Sequence, residues 1–350
     1  MSPSPRPRTS ATLSRKKRLA FALVALGLSA LVPVAAFFAL DLYLHRKHAS
    51  AFGVNIWGYR GPVVGAKAPG ERRIVVVGGS TAFGYGVDWP DAIPAQLQDR
   101  LNEDGGRLGG PAVVVNLAYY SEGAYAFEPN LRDYAYLDYD AVIMYTGDND
   151  LLGENRAVSR RTSAIYRWTG YLPLAPLVIR EKALSMRYGG DLDKAYGEEK
   201  TVFALSPAKR ALVATMEGAV DVADRLNKQL AAFSATAPDP STPGEFCSAR
   251  WDIYCRSIHR AVEYALGTGH RVLVVSEPFV GPEQPEQQRQ MAAMLVRRFG
   301  DNPRLRYLNL GEAVDPQDPA ISSDRMHLRA GANGTIARAL VEPVAGLFGR

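Results

Sequence analysis

The stretch RIVVVGGSTAFG, residues 73–84, decides how this chain is read. Its first half is apolar at consecutive rather than alternate positions, the pattern of a strand buried on both faces in a parallel sheet. Its second half turns on Gly78 and Gly79, which let the backbone bend sharply and leave Ser80 at the tip of the turn. Four more runs are short and bounded by turn or polar residues in the same way: 112–117 (AVVVNL), 141–145 (AVIMY), 271–275 (RVLVV) and 306–310 (RYLNL). Helical segments separate most of them, at 93–102, 127–137, 256–266 and 286–299, and a last one at 334–347 closes the chain. This alternation predicts an α/β protein, a three-layer α/β/α sandwich around a five-stranded parallel sheet.

The alternation breaks between residues 151 and 249. A gap of roughly 100 residues between two core strands far exceeds an ordinary connection. It holds Tyr166, Trp168, Tyr171, Pro173, Pro176, Tyr188 and Tyr196, then a helical segment at 207–233 and a Pro- and Thr-containing exit loop at 235–244. We read it as a helical insertion that caps the active face of a domain spanning 71–350.

The chain has 350 residues, with 41 Lys+Arg against 36 Asp+Glu and a net charge of +5. Residues 1–47 hold 8 of the basic and 1 of the acidic residues, which leaves 33 basic against 35 acidic, a net of −2, for the remainder. The basicity therefore belongs to the head of the chain, and a duplex-gripping domain with a nucleic-acid partner is excluded. Within that head, Arg15, Lys16, Lys17 and Arg18 precede 22 uncharged residues at 19–40. As a helix this stretch reaches ~33 Å, enough to cross a hydrocarbon core of ~30 Å. We divide the head into a cytoplasmic tail (1–18), a transmembrane anchor (19–44) and a tether (45–70). Six basic residues precede the apolar stretch and only Arg46 and Lys47 follow it closely, so the N-terminus stays cytoplasmic and the domain lies outside the cytoplasm. The competing reading is a signal peptide cleaved near Val34, Ala35 and Ala36, which exports the domain equally.

Two cysteines exclude a disulfide scaffold or a cysteine-rich zinc module. In an oxidising compartment Cys247 and Cys255, within FCSARWDIYC, could close a short disulfide; the other reading is two reduced, buried thiols. His259, His270 and His327 do not cluster with each other or with the cysteines at ligand spacing, so no metal site or cofactor is expected.

Ligands of an open parallel sheet gather beyond the carboxyl ends of its strands. After the first strand, the Gly78-Gly79-Ser80-Thr81 turn lacks the Gly-Lys-Ser/Thr ending of a phosphate loop, and a dinucleotide fingerprint fails on spacing. A nucleophile elbow is half matched, with Ala82 in place of its second glycine. After the third strand comes Gly147-Asp148-Asn149-Asp150, either a helix start whose Asp and Asn satisfy free backbone donors, or a loop whose Asn149 amide meets a developing oxyanion. Before the last helix, Asp324 precedes His327 by three residues, within reach to orient an imidazole that accepts a proton from Ser80; a surface Asp–His pair is the alternative.

Taken together, a Ser after the first strand, an Asn after the third and an Asp-x-x-His before the last helix follow the order and spacing of the SGNH hydrolases, also called the GDSL family. The chain resembles that family over about residues 72–348, the insertion excepted, with VVVGGSTAFGYGV as a Gly-Gly-Ser-Thr variant of its first block. The resemblance implies a flavodoxin-like strand order, Ser80 as nucleophile, Asp324 and His327 as its partners, and Asn149 as an oxyanion donor. In NLAYYSEG, residues 116–123, the best register puts Ser121 where the family has a glycine that donates its backbone N–H, with Gly123 two residues later. Gly79, Thr81, Gly123 and Gly147 are the neighbouring candidates for positioning substrate. The implied activity is a serine esterase acting through an acyl-serine intermediate, with acylated carbohydrate of the cell envelope as substrate by analogy. O-acetyl transfer to exopolysaccharide, a lipase or thioesterase acting on lipids, and a catalytically weak carbohydrate-binding assembly module remain alternatives.

Overall fold

The computed structural model describes residues 15–49, 52–103, 106–151, 155–187, 206–232 and 244–349. Tyr188, Tyr196 and most of the exit loop lie outside the described residues. Five parallel strands form the sheet: β1 (Arg72–Gly78), β2 (Ala112–Asn116), β3 (Ala141–Thr146), β4 (Arg271–Ser276) and β5 (Leu305–Asn309), in the order β2-β1-β3-β4-β5. The helices are α1 (Arg15–Lys47), α2 (Ser80–Phe83), α3 (Ile93–Asn102), α4 (Phe127–Asp133), α5 (Ala164–Thr169), α6 (Ala175–Arg187), α7 (Pro207–Ala232), α8 (Asp252–Gly267), α9 (Gln284–Phe299) and α10 (Ala330–Leu347). α3 and α10 pack together on one face of the sheet, and α4, α8 and α9 on the other.

β3 is buried along its whole length, and β1 at every residue but its first, as their unbroken apolar runs require. The strand order reverses between β1 and β3. Connections from these two strands leave in opposite directions, which opens a crevice at their carboxyl ends. Ser80 follows β1 there and Asn149 follows β3.

Three helices depart from their expected spans by a turn; the last, α10, begins at Ala330 rather than 334. α4 stops at Asp133 rather than 137, because Tyr134 leaves the helical region and Asp138 takes a left-handed φ of 52°, with a short 3-10 turn between them. α8 begins a turn earlier than 256. Asp252 accepts the backbone N–H of Phe246 (2.9 Å), and a Cys247–Cys255 disulfide ties the preceding loop to the helix.

α1 is the one helix among the described residues that is long and apolar enough to cross a membrane. Its end is docked. Asp41, fully buried, accepts the Ala175 N–H (2.6 Å) and the Tyr171 hydroxyl, while the ring nitrogens of His45 lie 3.0 and 3.1 Å from the carbonyls of Val54 and Leu172. The stretch expected as a tether is also folded onto the domain. Arg60 is buried, its backbone N–H donates to Asn116 O (3.0 Å), and its guanidinium donates to the carbonyls of Phe83, Gly84 (2.7 Å) and Val87 (2.6 Å). A buried guanidinium is stable where several carbonyls converge on it, and here those carbonyls belong to the segment that ends α2.

Candidate active site

Ser80 is the first residue of α2, and His327 lies on the loop before α10. Its Nε2 is 2.8 Å from Ser80 Oγ, and its Nδ1 is 2.5 Å from Asp324 Oδ2. The loop that carries Asp324 and His327 is pinched. Ser322 and Leu328 form an antiparallel bridge, Arg325 takes a φ of 66°, and Asp324 Oδ1 accepts the N–H groups of Met326 (3.0 Å) and His327 (2.8 Å) and the Ser322 hydroxyl (3.1 Å). Burial works to raise the Asp324 pKa, but the His327 ring and the two backbone donors outweigh it and hold the carboxyl down at about 2. Asp324 is therefore a carboxylate at neutral pH, aimed at the imidazole nitrogen remote from Ser80.

Asn149 lies across the turn from Ser80. Its amide donates to the Glu122 carbonyl (2.9 Å) and lies against Gly79: a Cβ built on that glycine would fall 2.0 Å from Asn149 Nδ2. Gly79 is thus needed for close approach. The amide carries a second N–H that can serve a ligand. Ser121 has a φ of 60°, the left-handed region that favours glycine, and its carbonyl accepts from Asn155 Nδ2 (3.0 Å).

The other candidates for substrate positioning face protein instead. A Cβ on Gly123 would meet the Asp150 carboxyl at 2.6 Å; Gly147 faces the amides of Gln284 and Gln288; and the Thr81 side chain is hydrogen-bonded to Glu277. Each of the three backs onto a buried polar side chain.

Beneath the turn lie three buried carboxyls. The side chains of Asp148 and Glu277 are hydrogen-bonded to each other, and Gln284 Nε2 donates to Asp148 Oδ1. Two carboxyl groups can share a hydrogen bond only if one keeps its proton. Burial pushes Asp148 up to about 6, and burial together with Asp148 pushes Glu277 well above the ordinary range. Asp150 accepts the Ala124 N–H (2.9 Å), and burial pushes it up to about 7.

Several residues that organise the site carry no signal in the sequence. Glu122, fully buried, accepts from Asn130 Nδ2 (2.7 Å), the Ser159 N–H (2.8 Å) and Arg160 (3.3 Å), so one side chain joins the Ser121 loop to the insertion. The Tyr85 ring lies 4.7 Å from the His327 ring and is 54% exposed, which makes it a wall of the open side. Among the described residues, no group of His, Cys, Asp and Glu is arranged to hold a metal ion.

No family model matches this chain, and no curated protein matches it. Similar solved structures include a family two carbohydrate esterase from Cellvibrio japonicus, 12% identical with a TM-score of 0.41 over 83% of this chain and 64% of that one. The lipase Lip_vut3 from a goat rumen metagenome is 11% identical, TM-score 0.36, over 79% and 97%. A carbohydrate esterase described as having divergent catalytic and non-catalytic binding functions is 11% identical, TM-score 0.34, over 81% and 66%. The chain thus spans just under two thirds of the first and third of these proteins. At such scores the reading of the site rests on its own distances.

Proposed function

We propose that this chain is a membrane-anchored serine esterase of the SGNH type that cleaves or transfers O-acyl groups, with its domain outside the cytoplasm and acylated cell-envelope polysaccharide as its substrate. The observation that carries the reading is the hydrogen-bonded line Ser80 Oγ, His327 Nε2, His327 Nδ1, Asp324 Oδ2, at 2.8 and 2.5 Å.

In this scheme Ser80 Oγ attacks the ester carbonyl while His327 Nε2 takes its proton, and the Asp324 carboxylate stabilises the imidazolium that forms. The tetrahedral oxyanion is met by the Asn149 amide and the backbone N–H groups of Ser80 and Ser121. Each such donor is worth on the order of 10² to 10³ in turnover. Imidazolium then protonates the departing alcohol, leaving an acyl-serine. Water or a second hydroxyl resolves it, with His327 again as base. Glycan as substrate is supported by the anchor, which keeps the domain at the envelope, and by an exposed Tyr85 beside His327 on which a sugar ring can stack.

The test uses the full chain in detergent with short-chain p-nitrophenyl esters, beside Ser80→Ala. Turnover that falls to background in the variant supports the scheme. Equal inertness of both proteins on short and long acyl chains overturns it. Release of acetate from acetylated envelope glycan, measured with the same pair, tests the substrate class.

A further inference from the structure

The segment beside the anchor carries a surface that ester chemistry leaves unused. Trp168 is 78% exposed, and Trp57 and Ile165 are 36% exposed. Trp168 and Ile165 belong to α5, which ends at Gly170, and a Cβ on Gly170 would lie 3.8 Å from the Trp57 ring. The next residue, Tyr171, donates its hydroxyl to Asp41 near the end of α1 and packs edge-on against Phe38, ring centroids 5.7 Å apart. With α1 crossing a membrane, exposed indoles beside its end would fall in the headgroup layer, where amphipathic rings are favoured.

Gly170 also lines a cavity of about 760 Å³, faced by Arg132, Arg161, Arg167 and Arg260 and by only two acids, Glu128 and Asp133. The acids are sunk beneath the guanidiniums: Glu128 is 13% and Asp133 25% exposed, against 55% for Arg132, 46% for Arg260 and 36% for Arg161. Glu128 accepts from Arg132 Nε (2.9 Å) and Arg260 Nε (2.9 Å), and Asp133 accepts from Arg161 Nε (2.7 Å). Arg132 also lies over the Tyr264 ring at 4.2 Å. The acids thus orient the arginines while the rim stays cationic. Guanidinium groups fixed in this way suit a phosphate.

We propose that this cavity binds the phosphate of an anionic phospholipid, with Trp57 and Trp168 seated in the headgroup layer, so that the domain lies against the bilayer. The proposal rests on α1 crossing the membrane and not on ester hydrolysis. The indoles and the joint to α1 favour a lipid over an acidic saccharide, which the cationic rim alone would also fit.

The test uses the full chain in nanodiscs, where co-elution with the discs establishes the anchor. Tryptophan fluorescence is compared with dibrominated phosphatidylglycerol or dibrominated phosphatidylcholine at equal fractions. The expected result is at least twofold stronger quenching by phosphatidylglycerol, reduced in Trp168→Phe, lost when Trp57→Phe is added to it, and equalised between the lipids in Arg132→Gln, Arg260→Gln and their double variant, whose folding is checked by thermal melting. Equal quenching by both lipids in the unsubstituted chain overturns the proposal. So does a preference that the arginine variants leave intact, or stabilisation of the chain by oligogalacturonate without any by phosphatidylglycerol.

Discussion

Asp324, on the loop before α10, and Asp150, after β3, are shifted in opposite directions by the protein. Asp324 is 46% exposed and draws donors from His327, Met326 and Ser322, which keep it ionised with a pKa of about 2. Asp150 is 5% exposed, accepts the Ala124 N–H, and is pushed by burial to about 7. Residue type does not set the charge. The number of donors aimed at the carboxyl, weighed against its lost hydration, does. Charge is kept where an imidazolium would form, and protons are kept in the layer below, where Asp148 and Glu277 form a hydrogen-bonded pair. Glu122 is a third case, buried like Asp150 but provided with Arg160 as counter-ion.

The hardest way to break this comparison is to neutralise its ionised member. Asp324→Asn is expected to lower ester turnover by about 10³- to 10⁴-fold, since the imidazole loses its partner charge and is held in the wrong tautomer. Steady-state kinetics on an aryl ester checks this, and a loss under tenfold would remove Asp324 from the scheme. Next in size is Glu122→Ala, which leaves Arg160 buried without its partner and should cost about 3–5 kcal/mol of unfolding free energy in denaturant titration. Turnover should fall with it, because the loop whose Glu122 backbone carbonyl accepts from the Asn149 amide loses the side chain that ties it to Asn130 and Arg160.

Asp150→Asn sharpens the contrast through pH. Because the folded pKa of Asp150 is raised from 3.8 to about 7, the folded state binds more protons across that interval. Its contribution to stability is therefore full below pH 4 and is lost as pH rises toward 7. The variant, which cannot ionise, should match the parent chain near pH 4 and exceed it at pH 8 by about 1–3 kcal/mol. Asp324 has the opposite sign. Its folded pKa is depressed, so its contribution is present above pH 4 and lost as pH falls toward 2. Melting temperatures of Asp150→Asn and Asp324→Asn against pH should therefore diverge from the parent in opposite directions at pH 8; parallel curves would refute the assignment of charge. The smallest effect is expected at Ser121, whose φ of 60° strains a side chain. Ser121→Gly should keep turnover within a few-fold and raise stability by about 1 kcal/mol or less, as relief of strain is partly offset by the added freedom of the unfolded chain.

The fold was largely legible because its signals are local. Consecutive apolar residues in β1, β3 and β4 record burial on both faces, and intervening helical periodicity makes a parallel sheet the economical arrangement. Ser80, Asn149, Asp324 and His327 stood out because each chemically apt residue follows a strand or precedes the last helix. Arg60 did not, since it lies in a Gly- and Pro-containing stretch that reads as a linker. Nothing near it in the chain reveals that the carbonyls of Phe83, Gly84 and Val87, more than 20 residues away, converge on it. The same holds for Glu122, whose partner Arg160 comes from the insertion, and for Glu277, an acid after a strand that resembles any surface glutamate until Asp148 and Thr81 are placed against it.

By itself, then, the sequence determined the α/β class, the apolar head and the candidate site residues, because turning, periodicity and hydrophobicity are written within a few neighbouring positions. Only the tertiary structure decided which carboxyls are charged, which glycines make room for a side chain, and what the segment after the apolar helix holds in place. Those properties depend on desolvation and on donors that arrive from distant parts of the chain, and no local window contains them.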